Sequence, residues 1–162
     1  MHNRIAILFV VCILTGCQKP FLAPATTGET KPVPEFRAKV NGADFVAELT
    51  GAAIRSDDSV ISIAAETADG QKIALAVKDS GVHLYQLPIY STTEVGTYVS
   101  SVSIAYSSNA GFYPGDSGGV LEITKLDRVN KLINGTFSFK GFHSDNQTQR
   151  LITDGVFNNI SY

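Results

Sequence analysis

One segment of the chain has the residue types of a nucleophile: Gly115-Asp116-Ser117-Gly118-Gly119. A serine set among glycines attacks a carbonyl when a histidine takes its proton, an acid orients that histidine, and backbone N–H groups receive the oxyanion. The imidazoles that could serve are His83 and His143. Two other chemistries have their residue types present. Asp57-Asp58 and Asp69 are oxygen ligands of the kind calcium takes, although a calcium site needs about six to eight oxygens and no EF-hand spacing occurs. Glu48, Glu66, Glu94 and Glu122 could contain a carboxylate pair for glycoside hydrolysis, which is defined by separation in space and not along the chain.

The serine segment resembles the nucleophile motif of the chymotrypsin-like serine proteases. That family's order is histidine, aspartate, serine. No aspartate lies between His83 and Asp116, and Gly81-Val82-His83-Leu84 has no likeness to the family's histidine motif. The chain is also too short for two barrels. Ser117 is therefore expected to be inert, with Pro114-Gly115-Asp116 and Gly118-Gly119 forming a turn that leads into a strand from Val120. Asp57-Asp58 and Asp69 are assigned to turns and His83 to a strand edge, while nothing selects a pair among the four glutamates. No catalytic residue, metal or cofactor is expected.

The tyrosines are the more useful signal. Tyr85, Tyr90, Tyr98, Tyr106 and Tyr113 fall in one stretch, joined by Phe112, where strand periodicity is weakest. Tyrosine joins an apolar ring to a polar tip and suits wet binding surfaces. These five form a candidate ligand surface; the competing expectation, which we favour, is that their rings complete the core.

Leu14-Thr15-Gly16-Cys17 follows an apolar run from Ile5 and a single fixed charge at Arg4. The run is too short to span a bilayer, which takes about 20 apolar residues, and suits a secretory signal. The four residues resemble the lipobox of bacterial lipoproteins. That resemblance implies cleavage after residue 16 and lipidation of Cys17 by a diacylglyceryl group and a further acyl chain, which together anchor stably where one chain does not. Gln18 is not the aspartate that retains many such proteins in the inner membrane, so the outer membrane is implied. Gln18-Lys19-Pro20 lacks the acidic residues of surface-exported forms, which favours a periplasmic face.

Three parts are thus expected: a signal over 1–16, a lipidated cysteine and tether over 17–34, and one domain over 35–162. The tether holds four of the six prolines. At about 3.1 Å per residue it could reach roughly 50 Å from the lipid. With Cys12 removed and Cys17 acylated, the domain has no thiol, so disulfides and cysteine-built zinc sites are excluded. Loss of Arg4 leaves twelve basic against fifteen acidic residues, a net charge of −3 without runs of either sign. Nucleic acid recognition needs a basic stripe and is not expected.

Period-two alternation runs through the body. Phe36, Ala38 and Val40 precede Asn41-Gly42, a hairpin signal, and Phe45, Ala47 and Leu49 follow it. Ile61, Ile63 and Ala65 lead to the turn Asp69-Gly70, and Ile73, Leu75 and Val77 return from it. Shorter strands are expected at Leu84-Tyr85, Gly96-Thr97-Tyr98 and Ile104-Ala105-Tyr106. Alternation recovers at Leu121 and Ile123, then at Phe137 and Phe139 after Asn134-Gly135, then from Leu151 to Ile160. No 3.6-residue apolar period follows the signal. The fold class is all-β: an antiparallel β-sandwich of about 8 to 10 short strands, or alternatively a partly closed β-barrel.

Phe36 to Gly42, Gly119 to Asp127, Ile133 to Phe139 and Ile152 to Ile160 resemble an uncharacterised family of small Bacteroidota lipoproteins. The resemblance implies a small envelope lipoprotein with no catalytic residues to carry over. The expected function is a non-catalytic, lipid-anchored domain that binds or scaffolds an envelope protein or glycan, with a glycan-binding accessory role as the first alternative and a serine hydrolase acting through Gly115 to Gly119 as the last.

Overall fold

The computed structural model describes residues 33–55, 59–113 and 115–162. The expected signal, Cys17, most of the expected tether, Asp57-Asp58 and Pro114 lie outside the described residues. Eleven strands occur among those described: β1 (Glu35–Val40), β2 (Ala43–Val46), β3 (Leu49–Arg55), β4 (Val60–Glu66), β5 (Lys72–Lys78), β6 (His83–Leu87), β7 (Val95–Val99), β8 (Ala105–Ser107), β9 (Gly118–Asp127), β10 (Leu132–His143) and β11 (Thr148–Ser161). All pairings are antiparallel and all strands join one sheet, which curls into a half-barrel. The all-β fold stands, and the curled sheet is compatible with either a sandwich or a partly closed barrel.

Strand β10 organises the sheet. One of its edges carries β11, which continues to β1 and β2. Its other edge is divided: Leu132 to Lys140 pair with β9, while Phe142 pairs with Ser107 of β8. The sheet forks there, one arm running β9-β6 and the other β8-β7-β5-β4-β3. The inward residues of both arms share one core, including Ile61, Ile73, Leu75, Leu121, Ile123, Phe139 and Phe157.

The expected hairpins form for the expected reasons. Asn41 and Gly42 both have positive φ, 50° and 85°, as a two-residue turn matching the strand twist requires. Asn41 also fastens that turn to β11, its N–H donating to Leu151 O and its Oδ1 accepting from Leu151 N, both at 2.8 Å. Gly70 N–H donates to Thr67 O at 3.0 Å with Gly70 at φ 83°, a tight turn closed by a glycine. Strand β3 is a strand that alternation did not reveal. Its two faces, Leu49-Gly51-Ala53 and Thr50-Ala52-Ile54, differ too little in polarity to show a period of two.

Asn134-Gly135 lies inside β10, although the same dipeptide type makes the β1–β2 turn. It marks a bulge: register shifts there against both β9 and β11. On β11, Ile152, Phe157 and Ile160 are all fully buried, yet their spacings of five and three would put neighbours on opposite faces. Asp154 and Asn159, at φ 52° and 53°, absorb one residue each and return the next apolar side chain to the core. Asn and Asp tolerate this left-handed backbone better than other side chains.

At the β9–β10 turn the Asp127 carboxylate accepts from Asn130 N–H at 2.9 Å, from the Asn130 amide at 2.9 Å and from Val129 N–H at 3.1 Å. These bonds hold its pKa below the ordinary aspartate range, Asn130 N–H contributing most. A depressed carboxylate stabilises the fold above its unfolded pKa and loses that contribution as pH falls through its folded one. Urea titrations at decreasing pH should therefore show a smaller acid loss in Asp127→Ala than in the parent. A second expectation concerns Gly135, where an added Cβ would run into Glu122 O and the Phe157 ring, whereas none meets anything within 4 Å at Gly51. Gly135→Ala should cost about 3 kcal/mol in urea unfolding, and Gly51→Ala less than about 0.5 kcal/mol.

Candidate functional site

The five tyrosines separate into two groups. The rings of Tyr85, Tyr98 and Tyr106 are buried, at 5%, 5% and 2% exposure, while Tyr90 and Tyr113 stand at 63% and 73%. The first three therefore belong to the core and drop out of the ligand surface. Each sits at an inward register position: Tyr85 faces Leu121, Tyr98 faces Ile73 and Tyr106.

The buried hydroxyls hold structure together. Tyr85 Oη accepts from Ser80 N–H at 3.0 Å and donates to Gly81 O at 2.9 Å, fastening the bend before β6. Tyr98 Oη donates to Gln71 Oε1 at 2.7 Å, linking β7 to the β4–β5 turn. Burial pushes both phenols above their usual pKa, so they stay protonated donors. Tyr106 packs 6.0 Å from Tyr98 and 5.7 Å from His143, with the Arg150 guanidinium 4.6 Å over its ring.

Tyr90 joins its own loop to the one that carries Phe112 and Tyr113. Tyr90, at φ 68°, donates its hydroxyl to Phe112 O at 2.9 Å, and its N–H donates to Asn109 O at 3.0 Å. Asp116 Oδ2 accepts from both Phe112 and Tyr113 N–H, at 3.0 and 2.9 Å, and Lys140 Nζ donates to Gly115 O at 2.8 Å. Phe112, 54% exposed, rests edge-on against Phe142 at 5.6 Å. The Tyr90 ring is thus tied at its hydroxyl, the Phe112 ring rests on Phe142, and hydrogen bonds to Asp116 fix the backbone that carries Phe112 and Tyr113. Alternation could not reveal the cluster because it lies between strands. The usable signal was Phe112-Tyr113 just before Pro114-Gly115-Asp116, residue types that favour turns.

The serine segment is the base of this cluster. Asp116 braces the loop and orients no histidine. Ser117 Oγ is buried with no hydrogen-bond partner, so neither imidazole reaches it. His83 pairs with Ile123, six residues along β9 from Ser117, which is about 20 Å of strand. His143 is engaged elsewhere, its Nδ1 2.9 Å from Ala105 O and its Nε2 3.9 Å from the Asp145 carboxylate. Gly118-Gly119 opens β9 two residues earlier than Val120.

The carboxylates are similarly dispersed. Glu66 is ion-paired to Lys72 at 3.1 Å, Glu94 accepts from Ser91 Oγ at 2.8 Å, Glu122 lies at an outward position of β9, and Glu48 lies between β2 and β3. Among the described residues no group of three or more His, Cys, Asp or Glu is arranged to hold a metal ion. Asp69 accepts from Thr67 and Gln71 within its own turn, which keeps its carboxyl below the usual range.

The family described as "Domain of unknown function (DUF6252)" matches residues 33–161. The chain belongs to that family. The match takes in every strand from β1 to β11, and with them both loops of the aromatic cluster. No curated protein and no solved structure matches the chain.

A buried hydroxyl without a partner carries a desolvation cost that alanine does not. Ser117→Ala should leave stability unchanged or raise it by up to about 1 kcal/mol in urea unfolding. A fluorophosphonate probe should label neither the parent nor the variant; covalent modification of Ser117 would give the serine the chemistry denied to it above.

Proposed function

We propose that this protein is a non-catalytic lipoprotein of the bacterial cell envelope, anchored by acyl chains on Cys17, which binds or scaffolds another envelope component by surface contact. The sequence supports the anchor through the apolar run from Ile5 and the Leu14-Thr15-Gly16-Cys17 segment. Its likeness to small Bacteroidota lipoproteins and the residue at Gln18 support an outer-membrane, periplasm-facing address.

One observation carries the binding role. The chain enters the domain at Glu35, which pairs with Asn158 beside the β9–β10 end of the sheet. The Tyr90-Phe112-Tyr113 cluster lies by Phe142, at the other end of β10. About seven residues of strand, or roughly 24 Å, separate the two levels. Exposed aromatic rings on loops at the end of the sheet opposite Glu35 support a role in surface contact.

Metabolic labelling with palmitate should mark the parent chain and not Cys17→Ala. Crosslinking in intact cells should recover envelope material with the parent and much less of it with Tyr113→Ala. A free thiol at Cys17, or a chain released in soluble form without acyl groups, would remove the anchor from this reading.

A further inference from the structure

We propose that Tyr90, Phe112 and Tyr113 form a stacking platform for the sugar rings of an extended, uncharged glycan. This rests on the contact role proposed above and names its ligand class. Four properties of the cluster select that class.

The first is area. Side chains of this kind bury about 150–250 Å² each, so at exposures of 63%, 54% and 73% the platform offers roughly 400 Å². A stable protein partner covers about 800 Å² on each side, twice that figure. A patch of a few hundred Å² is nevertheless large for an isolated domain and marks a contact site. Two or three pyranose rings would cover it.

The second is shape. Four surface grooves of 250 to 600 Å³ occur elsewhere, and none is lined by these rings. Compact small molecules favour concave sites that enclose most of their surface. A platform of loop residues instead suits a polymer that lies across it.

The third is charge. Asp116, Glu94 and Lys140 border the loops, and each is engaged locally: Asp116 with two backbone N–H groups, Glu94 with Ser91, Lys140 with Gly115 O. No sign predominates, as a polyanion or polycation would require. The face of a pyranose is made of C–H groups and its rim of hydroxyls, which complements an aromatic ring with a polar tip.

The fourth is order. The Tyr90 hydroxyl is tied to the Phe112 carbonyl and the Phe112-Tyr113 backbone to Asp116. With the Tyr90 ring tied, the Phe112 ring packed on Phe142 and the backbone under Tyr113 fixed, little freedom is lost on binding, so a modest contact area yields measurable affinity.

The test is affinity electrophoresis of the detergent-solubilised full chain through gels containing a soluble mixed-linkage β-glucan, a xylan or a galactomannan. Dextran sulfate serves as the anionic arm and phosphatidylethanolamine/phosphatidylglycerol vesicles as the lipid arm. The parent is expected to be retarded by at least one neutral polymer, with retention weakened about fivefold to tenfold in Tyr113→Ala and in Phe112→Ala. Val102→Ala, an exposed apolar residue outside the platform, should retain parental mobility. Urea midpoints of the variants verify that they are folded. Passage through all three neutral gels without retardation overturns the proposal. So does retardation that Tyr113→Ala leaves intact, or binding confined to dextran sulfate or vesicles. Palmitate incorporation and crosslinking of envelope proteins in the parent would still stand in those cases, which separates failure of the glycan platform from failure of the anchored contact role.

Discussion

Two reciprocal glycine–phenylalanine pairs across β10 and β11 set the geometry of this domain. Gly135 is the register partner of Phe157, and Phe137 is the partner of Gly155. Each ring lies over the glycine opposite; at Gly155 a Cβ would come within 2.6 Å of the Phe137 ring. The two phenylalanines stand 6.4 Å apart and both contact Phe36 of β1, 5.2 Å from Phe137 and 6.4 Å from Phe157. Any larger residue at either glycine would lift a ring out of the core and part the two longest strands. Aromatic contacts of this kind add about 0.5–1.5 kcal/mol per pair beyond burial.

The curvature follows from that packing. Bulges near Gly135, Asp154 and Asn159 bend β10 and β11 so that one continuous sheet encloses its own core. Bending frees the far end of β10 from β9, which ends its pairing at Lys140, and leaves Phe142 to accept β8. The gap between the arms is where the loops at 88–94 and 108–117 emerge. Phe139 bridges the fork, its ring lying against Gly96 of β7. The aromatic cluster therefore owes its place to the same constraint that closes the core.

The tyrosines divide along the same line. Those on strands, Tyr85, Tyr98 and Tyr106, point inward by alternation, and the first two use their hydroxyls to fasten turns. Tyr90 and Tyr113 are on loops and remain outside. Composition recognised an aromatic concentration but could not sort it, because a tyrosine's role depends on whether its Cα falls on a strand and on which face. Ser117 shows the same limit from the other side. Its neighbours match a nucleophile motif, while the fold leaves its Oγ buried without a hydrogen-bond partner, which no local pattern foretells.

Alternation and turn chemistry, both local, were enough to reveal the all-β class, the Asn41-Gly42 and Asp69-Gly70 hairpins, and the inward residues of β1, β4 and β5. The order of His83, Asp116 and Ser117 along the chain likewise exposed the missing triad order, since that is a matter of sequence alone. Local pattern could not reveal β3, whose two faces are alike, nor the bulges, whose meaning depends on the neighbouring strand. The fork at β10, the burial of three tyrosines and the bond from Tyr90 to the Phe112 carbonyl join residues far apart along the chain. Only the tertiary structure decided them, because register and curvature are set by packing between strands and leave no period within any one of them.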